Sequence, residues 1–177
     1  MSDTAANGKS TALPSAHQNS GDQITGAAGE TGPFFAVNVQ FLKDFSFENP
    51  RAPNSLLPQN APNEVQVGAD VKAQKIGDDV YEVILNIKAE AKSQGEVAFL
   101  IELEYGAVVT IRNAPEDLVE MLLLVEAPTL LFPFARAIIA TSTREGGFLP
   151  LLINPINFGE VRRLKQANLA AGEAGTA

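Results

Sequence analysis

Phe34-Phe-Ala-Val-Asn-Val-Gln-Phe-Leu-Lys-Asp-Phe-Ser-Phe-Glu-Asn-Pro-Arg-Ala-Pro53 alternates in its first part. Phe35, Val37, Val39, Phe41, Phe45 and Phe47 share one parity. Asn38, Gln40, Asp44, Ser46 and Glu48 share the other. Successive side chains of a strand point to opposite faces, so this run predicts a strand with one buried and one wet face. Pro50 and Pro53 end it, since proline brings no N–H to a ladder. Asp44 and Glu48 fall on the same wet side. Such an acidic, regular face suits a docking surface, although on this stretch alone a merely solvated sheet face is the commoner reading.

Downstream, the same alternation returns. Residues 49–63 hold Pro50, Pro53, Pro58 and Pro62 around an apolar pair, Leu56 and Leu57. A loop this long in a compact domain tends to be functional or mobile. It reads either as a crossover tucked onto the core or as a flap over an apolar groove. Glu64 to Ala73 alternates weakly, as a short edge strand would. Gly77-Asp78-Asp79 makes a turn into a strong strand from Val80 to Lys92. Ser93-Gln94-Gly95 makes a hairpin turn into Val97 to Tyr105. There Phe99, Ile101, Leu103 and Tyr105 share one face, and Leu100, Glu102 and Glu104 the other. Gly106 is expected to break this strand before Ala107–Arg112 returns. Short turns imply antiparallel pairing. The expected sheet is four-stranded and antiparallel, with one apolar and one acidic face.

From Pro115 the period becomes helical. Asn113 is the expected N-cap. Leu118, Met121, Leu122 and Val125 form an i, i+3, i+4, i+7 stripe. A second helix is expected from Leu131 or Phe132, with Pro133 in its first turn, to the stop at Gly146-Gly147. Its charged side chains are few, so it should be covered on nearly all sides. One sheet cannot do that, which points to helices shared between subunits. Phe148 to Phe158 reads as extended and apolar. Asn157 caps a last helix, from Phe158 to about Ala170. Residues 1–33 lack periodicity and are expected to be a disordered tail, with the folded domain at 34–170 and a frayed end at 171–177.

The 177 residues are 45% hydrophobic, enough for one core. The net charge of −8 and the pI of about 4.6 disfavour nucleic acid and anionic membranes and suit a basic protein partner. There is no cysteine and a single histidine, His17, which lies in the expected tail. With no phosphate-binding glycine loop either, the sequence points to no catalytic residues, no metal and no cofactor. No N-terminal signal sequence is evident, and no stretch approaches the ~20 apolar residues of a membrane span. A cytoplasmic protein is the expectation. The apolar candidates for a binding groove are Leu56, Leu57, Phe132, Phe134 and Phe148. Each has an equally good reading as core.

Four motifs then resemble one family. Lys43-Asp44-Phe45-Ser46-Phe47-Glu48-Asn49-Pro50, with Ala52-Pro53, looks like the opening strand of the bacterial export chaperone family SecB. Asp78-Asp79-Val80-Tyr81-Glu82-Val83, Leu131-Phe132-Pro133-Phe134-Ala135-Arg136 and Pro155-Ile156-Asn157-Phe158 resemble its second strand, main helix and last-helix entry. The resemblance covers about residues 34–170. It implies an α+β subunit, sheets paired edge to edge in dimers, and a tetramer in which two dimers sandwich the helices. It implies an ATP-independent holdase for unfolded precursors that delivers them to the SecA ATPase. The family's SecA-docking positions fall on Asp44, Glu48, Leu100 and Glu102. Its assembly-sensitive positions fall on Ile101, Leu103 and Tyr105. Two other functions fit the same features: a SecB-like chaperone dedicated to an antitoxin, and a carrier of small apolar ligands.

Overall fold

A computed structural model of the protein describes residues 32–174, with side chains through residue 168. The tail expected at 1–33 lies outside these residues except for its last two. Four antiparallel strands form one sheet: β1 (Phe34–Glu48), β2 (Glu64–Gly77), β3 (Val80–Ser93) and β4 (Glu96–Arg112). Their spatial order is β1-β4-β3-β2, so β1 and β2 are the edges. The β3–β4 hairpin turns at Gln94 and Gly95, whose φ angles are +54° and +82°. A turn with both central residues left-handed matches the twist of the strands it joins.

β1 departs from simple alternation. Its register against β4 slips between Val37 and Val39 and again between Leu42 and Asp44. Each slip is a one-residue bulge, and each inverts the faces. Phe35, Val37, Phe45 and Phe47 pack on the core as expected. Val39 and Phe41 do not, because they lie between the bulges and pair with Val108 and Gly106 on the outer face. The second bulge, at Lys43, restores the parity, so Asp44 and Glu48 face outward after all.

Gly106 does not break β4, which is continuous over 17 residues. A Cβ there would come within 2.7 Å of both Phe41 and Ile84. The glycine lets these two side chains close over the strand. Lys43 on β1 reaches across β4 to Glu82 on β3, 2.9 Å away. That ammonium group holds the Glu82 carboxyl below its ordinary range.

The helices are fused. α1 (Glu116–Met121), a π-helical turn (Leu122–Glu126) and α2 (Ala127–Glu145) form one helix. The expected division fails: Pro128 lies in the first turn of α2, and Pro133, expected in a first turn, lies inside the helix. Here the wider π turn precedes Pro128, and the Ala127 N–H bonds the Leu122 carbonyl instead. The Thr129 hydroxyl donates to the Val125 carbonyl at 2.6 Å. Asn113 is not the cap. It sits at φ +53° leaving β4, and Pro115 precedes the first turn. The fused helix, Glu116–Glu145, is long and apolar enough to cross a membrane by length and composition, contrary to the expectation that no stretch is. Leu131, Ala135 and Ile139 bury one side of it against Leu85, Ile87, Ile101 and Leu103. Packed this way, the helix covers one face of the sheet. Leu130 and Phe134 remain 47% and 51% exposed on its other side.

The helix ends at Gly146-Gly147. The Gly147 N–H bonds the Arg144 carbonyl and the Phe148 N–H bonds that of Thr143, with Gly147 at φ +87°. This double closure is the Schellman pattern. A Cβ on Gly146 would run into the Phe47 ring, which stacks on Phe99 in the core. Gly146→Ala is therefore expected to cost about 1–3 kcal/mol by overpacking, read as a lower urea midpoint at unchanged m-value. The last helix, α3 (Phe158–Ala174), is capped as expected, with Asn157 Oδ1 accepting from the Glu160 N–H at 3.1 Å. Arg162 to Glu120 (2.9 Å) and Lys165 to Asp70 (2.8 Å) tie it to the long helix and to β2. Arg162 also holds the Glu120 carboxyl below its ordinary range.

Candidate functional site: an apolar groove and a charged sheet face

The loop after β1 is built to hold its leucines in place. Ser55 is buried, and its hydroxyl donates to Asn49 Oδ1 at 2.6 Å. The Ser55 N–H bonds the Arg51 carbonyl, and Arg51 pairs with Glu96 at 2.7 Å. Two short 3-10 turns, Asn54–Leu56 and Pro58–Asn60, follow. Leu56 and Leu57 are left 42% and 44% exposed. Leu56 lies against Gly147, where an added Cβ would sit 3.1 Å from it. From the helix end, Phe148 turns inward to meet the Phe99 ring, with centroids 4.9 Å apart. Thr143 is wholly buried and fixes the segment that follows. Its hydroxyl accepts from the Leu151 N–H at 2.9 Å and donates to the Ile139 carbonyl at 3.0 Å.

Between these walls lies a cavity of about 340 Å³, lined by Leu56, Leu57, Pro58, Val65, Phe99, Phe148 and Leu151 among others. A second hollow of about 450 Å³ continues along edge strand β2, with Val67, Leu152, Ile153 and Ile156. The two share Val65 and Leu151 and make one groove open to solvent, more apolar at the loop end than along β2. Sequence reading anticipated Leu56, Leu57 and Phe148. It missed the β2 edge and Leu149 to Ile156, although the apolar run between Pro150 and Pro155 was a usable signal. Phe132 and Phe134, expected in the same groove, do not line it. Phe132 is buried edge-on against Phe158, and Phe134 stacks on Tyr105 across the open side of the helix. A helix sends residues two apart to different sides, so these two could not share one wall.

The outer face of the sheet gathers the acidic residues. Glu48 lies opposite Leu100, Ser46 opposite Glu102, and Asp44 opposite Glu104. Asp44, Glu48, Leu100 and Glu102 therefore sit together on two neighbouring strands, with Leu100 half-buried among the acids. The face is not uniformly acidic. Lys88 pairs with Glu102 at 2.6 Å, and Lys92 with Glu90 at 3.2 Å. Asp44 and Glu48 make no ion pair among the described residues. Glu104, which the sequence reading left out of the docking set, shares the parity of Glu102 and was legible on that basis. It accepts a hydrogen bond from Asn86 at 3.0 Å and stands opposite Asp44 in the register. Like charges directly opposite across a sheet are destabilising. Ile101 and Leu103 point the other way and are buried inside the subunit, while Tyr105 is half-buried beneath Phe134.

An α+β subunit with an open apolar groove at one end and a charged sheet face turned away from its helices is the class these features define. The family described as preprotein translocase subunit SecB matches residues 28–168. The protein-export protein SecB of Bartonella quintana is 46% identical over 136 residues, 77% of this chain and 85% of that protein. That of a Bradyrhizobium species is 43% identical over 150 residues, 84% of this chain and 93% of that one. A solved SecB-like chaperone of Mycobacterium tuberculosis, in complex with a ChAD peptide from the HigA1 antitoxin, has the same fold, with a TM-score of 0.58. It shares 12% identity and covers 69% of this chain and 90% of its own. The chain belongs to the SecB family of protein-export chaperones.

Proposed function

We propose that this protein holds unfolded precursor chains in the groove, in the cytoplasm and without ATP, and passes them to the SecA ATPase through the outer face. The groove carries the reading: it is long, apolar, open along its side, and bordered by an edge strand. Unfolded chains offer many weak apolar anchors, and an open groove accepts them without a fixed sequence. A carrier of small apolar ligands calls for an enclosed pocket instead. The groove and the acids around Leu100 occupy different faces, so client and SecA can be bound together. Leu130 and Phe134 on the open side of the helix support assembly through the helices into a tetramer. A pull-down of precursors with and without signal peptides tests client choice. Enrichment of secretory precursors supports the export reading, and capture of one antitoxin alone would replace it.

Asp44 and Glu48 would steer a basic segment of SecA, and Leu100 would supply the apolar contact. Asp44→Asn with Glu48→Gln keeps shape and removes both charges. Exposed pairs of this kind are worth little each, so SecA affinity is expected to fall about 3- to 30-fold in low salt. The difference should shrink as salt screens it. Titration calorimetry across a salt series reads this, and equal affinities in low salt would reduce the acids to a solvated surface.

A further inference from the structure

We propose that Lys88 is a built-in competitor for the partner of the outer face, occupying the acid at the centre of the docking patch. This rests on the reading of that face as the SecA surface. Lys88 stands on β3 directly opposite Glu102 on β4, and its ammonium group lies 2.6 Å from the Glu102 carboxylate. On its other side the facing residue on β2 is Gly68, which offers no side chain. The remaining carboxylates around it are engaged or oriented elsewhere: Glu90 with Lys92, and Glu104 with Asn86. Lys88 therefore leans on Glu102. Both side chains are about half exposed, 62% and 46%, so a basic partner can reach the pair.

The arrangement changes what each acid contributes to binding. A cation of the partner that meets Asp44 or Glu48 forms a new ion pair. A cation that meets Glu102 must first displace Lys88, so one exposed ion pair is exchanged for another and the net gain is small. Glu102 is thus masked in the free protein, and Lys88 sets how much of the patch a partner can use.

Lys88→Gln removes the competitor and keeps a side chain of similar reach. SecA is expected to bind this variant about two- to five-fold tighter in low salt, with a steeper salt dependence. Adding Glu102→Gln to Lys88→Gln should bring affinity back to about that of the parent, since the pair of substitutions leaves the same local net charge as the parent's ion pair. Loss of the gain on removing Glu102 ties it to the carboxylate that Lys88→Gln frees. Lys72→Gln is the control. Lys72 lies on the same face, makes no ion pair among the described residues, and removes the same charge without freeing Glu102. The measurement is calorimetry with SecA on full-length protein, with circular dichroism and a urea midpoint for each variant. Tighter binding by Lys88→Gln but not Lys72→Gln, lost again on adding Glu102→Gln, supports the inference. Measurable parent binding that Lys88→Gln leaves unchanged, weakens, or strengthens no more than Lys72→Gln overturns it. No SecA binding by the parent overturns the docking surface itself, and the inference with it.

Discussion

Leu103→Asp is expected to unfold the subunit, whereas Tyr105→Asp is expected to leave it folded and weaken its assembly. The two positions share a strand face, yet their surroundings differ. Leu103 is 1% exposed, between the sheet and the long helix. A carboxylate there has no partner and must ionise without water or take up a proton to stay neutral. Either way about 4 kcal/mol or more is lost, much of the 5–15 kcal/mol, roughly, that keeps a domain folded. Tyr105 sits at the margin, stacked on Phe134, which is 51% exposed. A charge there can reach water in a lone subunit and would be trapped if a second copy covered Phe134. Urea denaturation and light scattering separate the outcomes. A folded, fully assembled Tyr105→Asp protein would remove the helix face around Phe134 from the assembly.

The second large effect belongs to the groove. Leu56 and Leu57 already bury more than half of their surface in the free protein, and a client would cover the remainder. That remainder is worth about 1 kcal/mol per side chain, so Leu56→Ser with Leu57→Ser should weaken the holding of an unfolded precursor about ten- to thirty-fold. Ser55 and its bond to Asn49 are untouched, so the loop should keep its course. An aggregation assay with an unfolded precursor reads the loss. A urea midpoint that collapses in this variant would assign the leucines to the core instead.

The sheet was legible because its signals are local: period-two alternation, and turn residues such as Gln94-Gly95. The outward acids were legible for the same reason, although only because two bulges cancel. Alternation cannot register a bulge, so Val39 and Phe41 were assigned to the wrong face while Asp44 and Glu48 were assigned to the right one. Gly106 misled because a glycine that breaks a strand and one that admits Phe41 look alike in sequence. The fused helix was hidden because the π turn that joins its two parts is held in place by packing on β2 and α3, which local sequence does not show. Phe132 and Phe134 show the other limit. Composition marks an aromatic residue as a binding candidate, but only the position of the helix says which wall it faces.

The strand order β1-β4-β3-β2 has a consequence for how the chain is made. Synthesis delivers β1 before the other three strands, and its neighbour among the described strands, β4, ends at Arg112. More than sixty residues must follow Phe34 before its partner exists. In that interval a strand with five phenylalanines, Phe34, Phe35, Phe41, Phe45 and Phe47, stands unpaired. The β2–β3 and β3–β4 hairpins close over short loops and can form early, while the pairing of β1 must close a long one. Exposed apolar strands on nascent chains are the species that aggregate. Under the proposed function, each newly made copy of the protein is itself a transient client of the same kind.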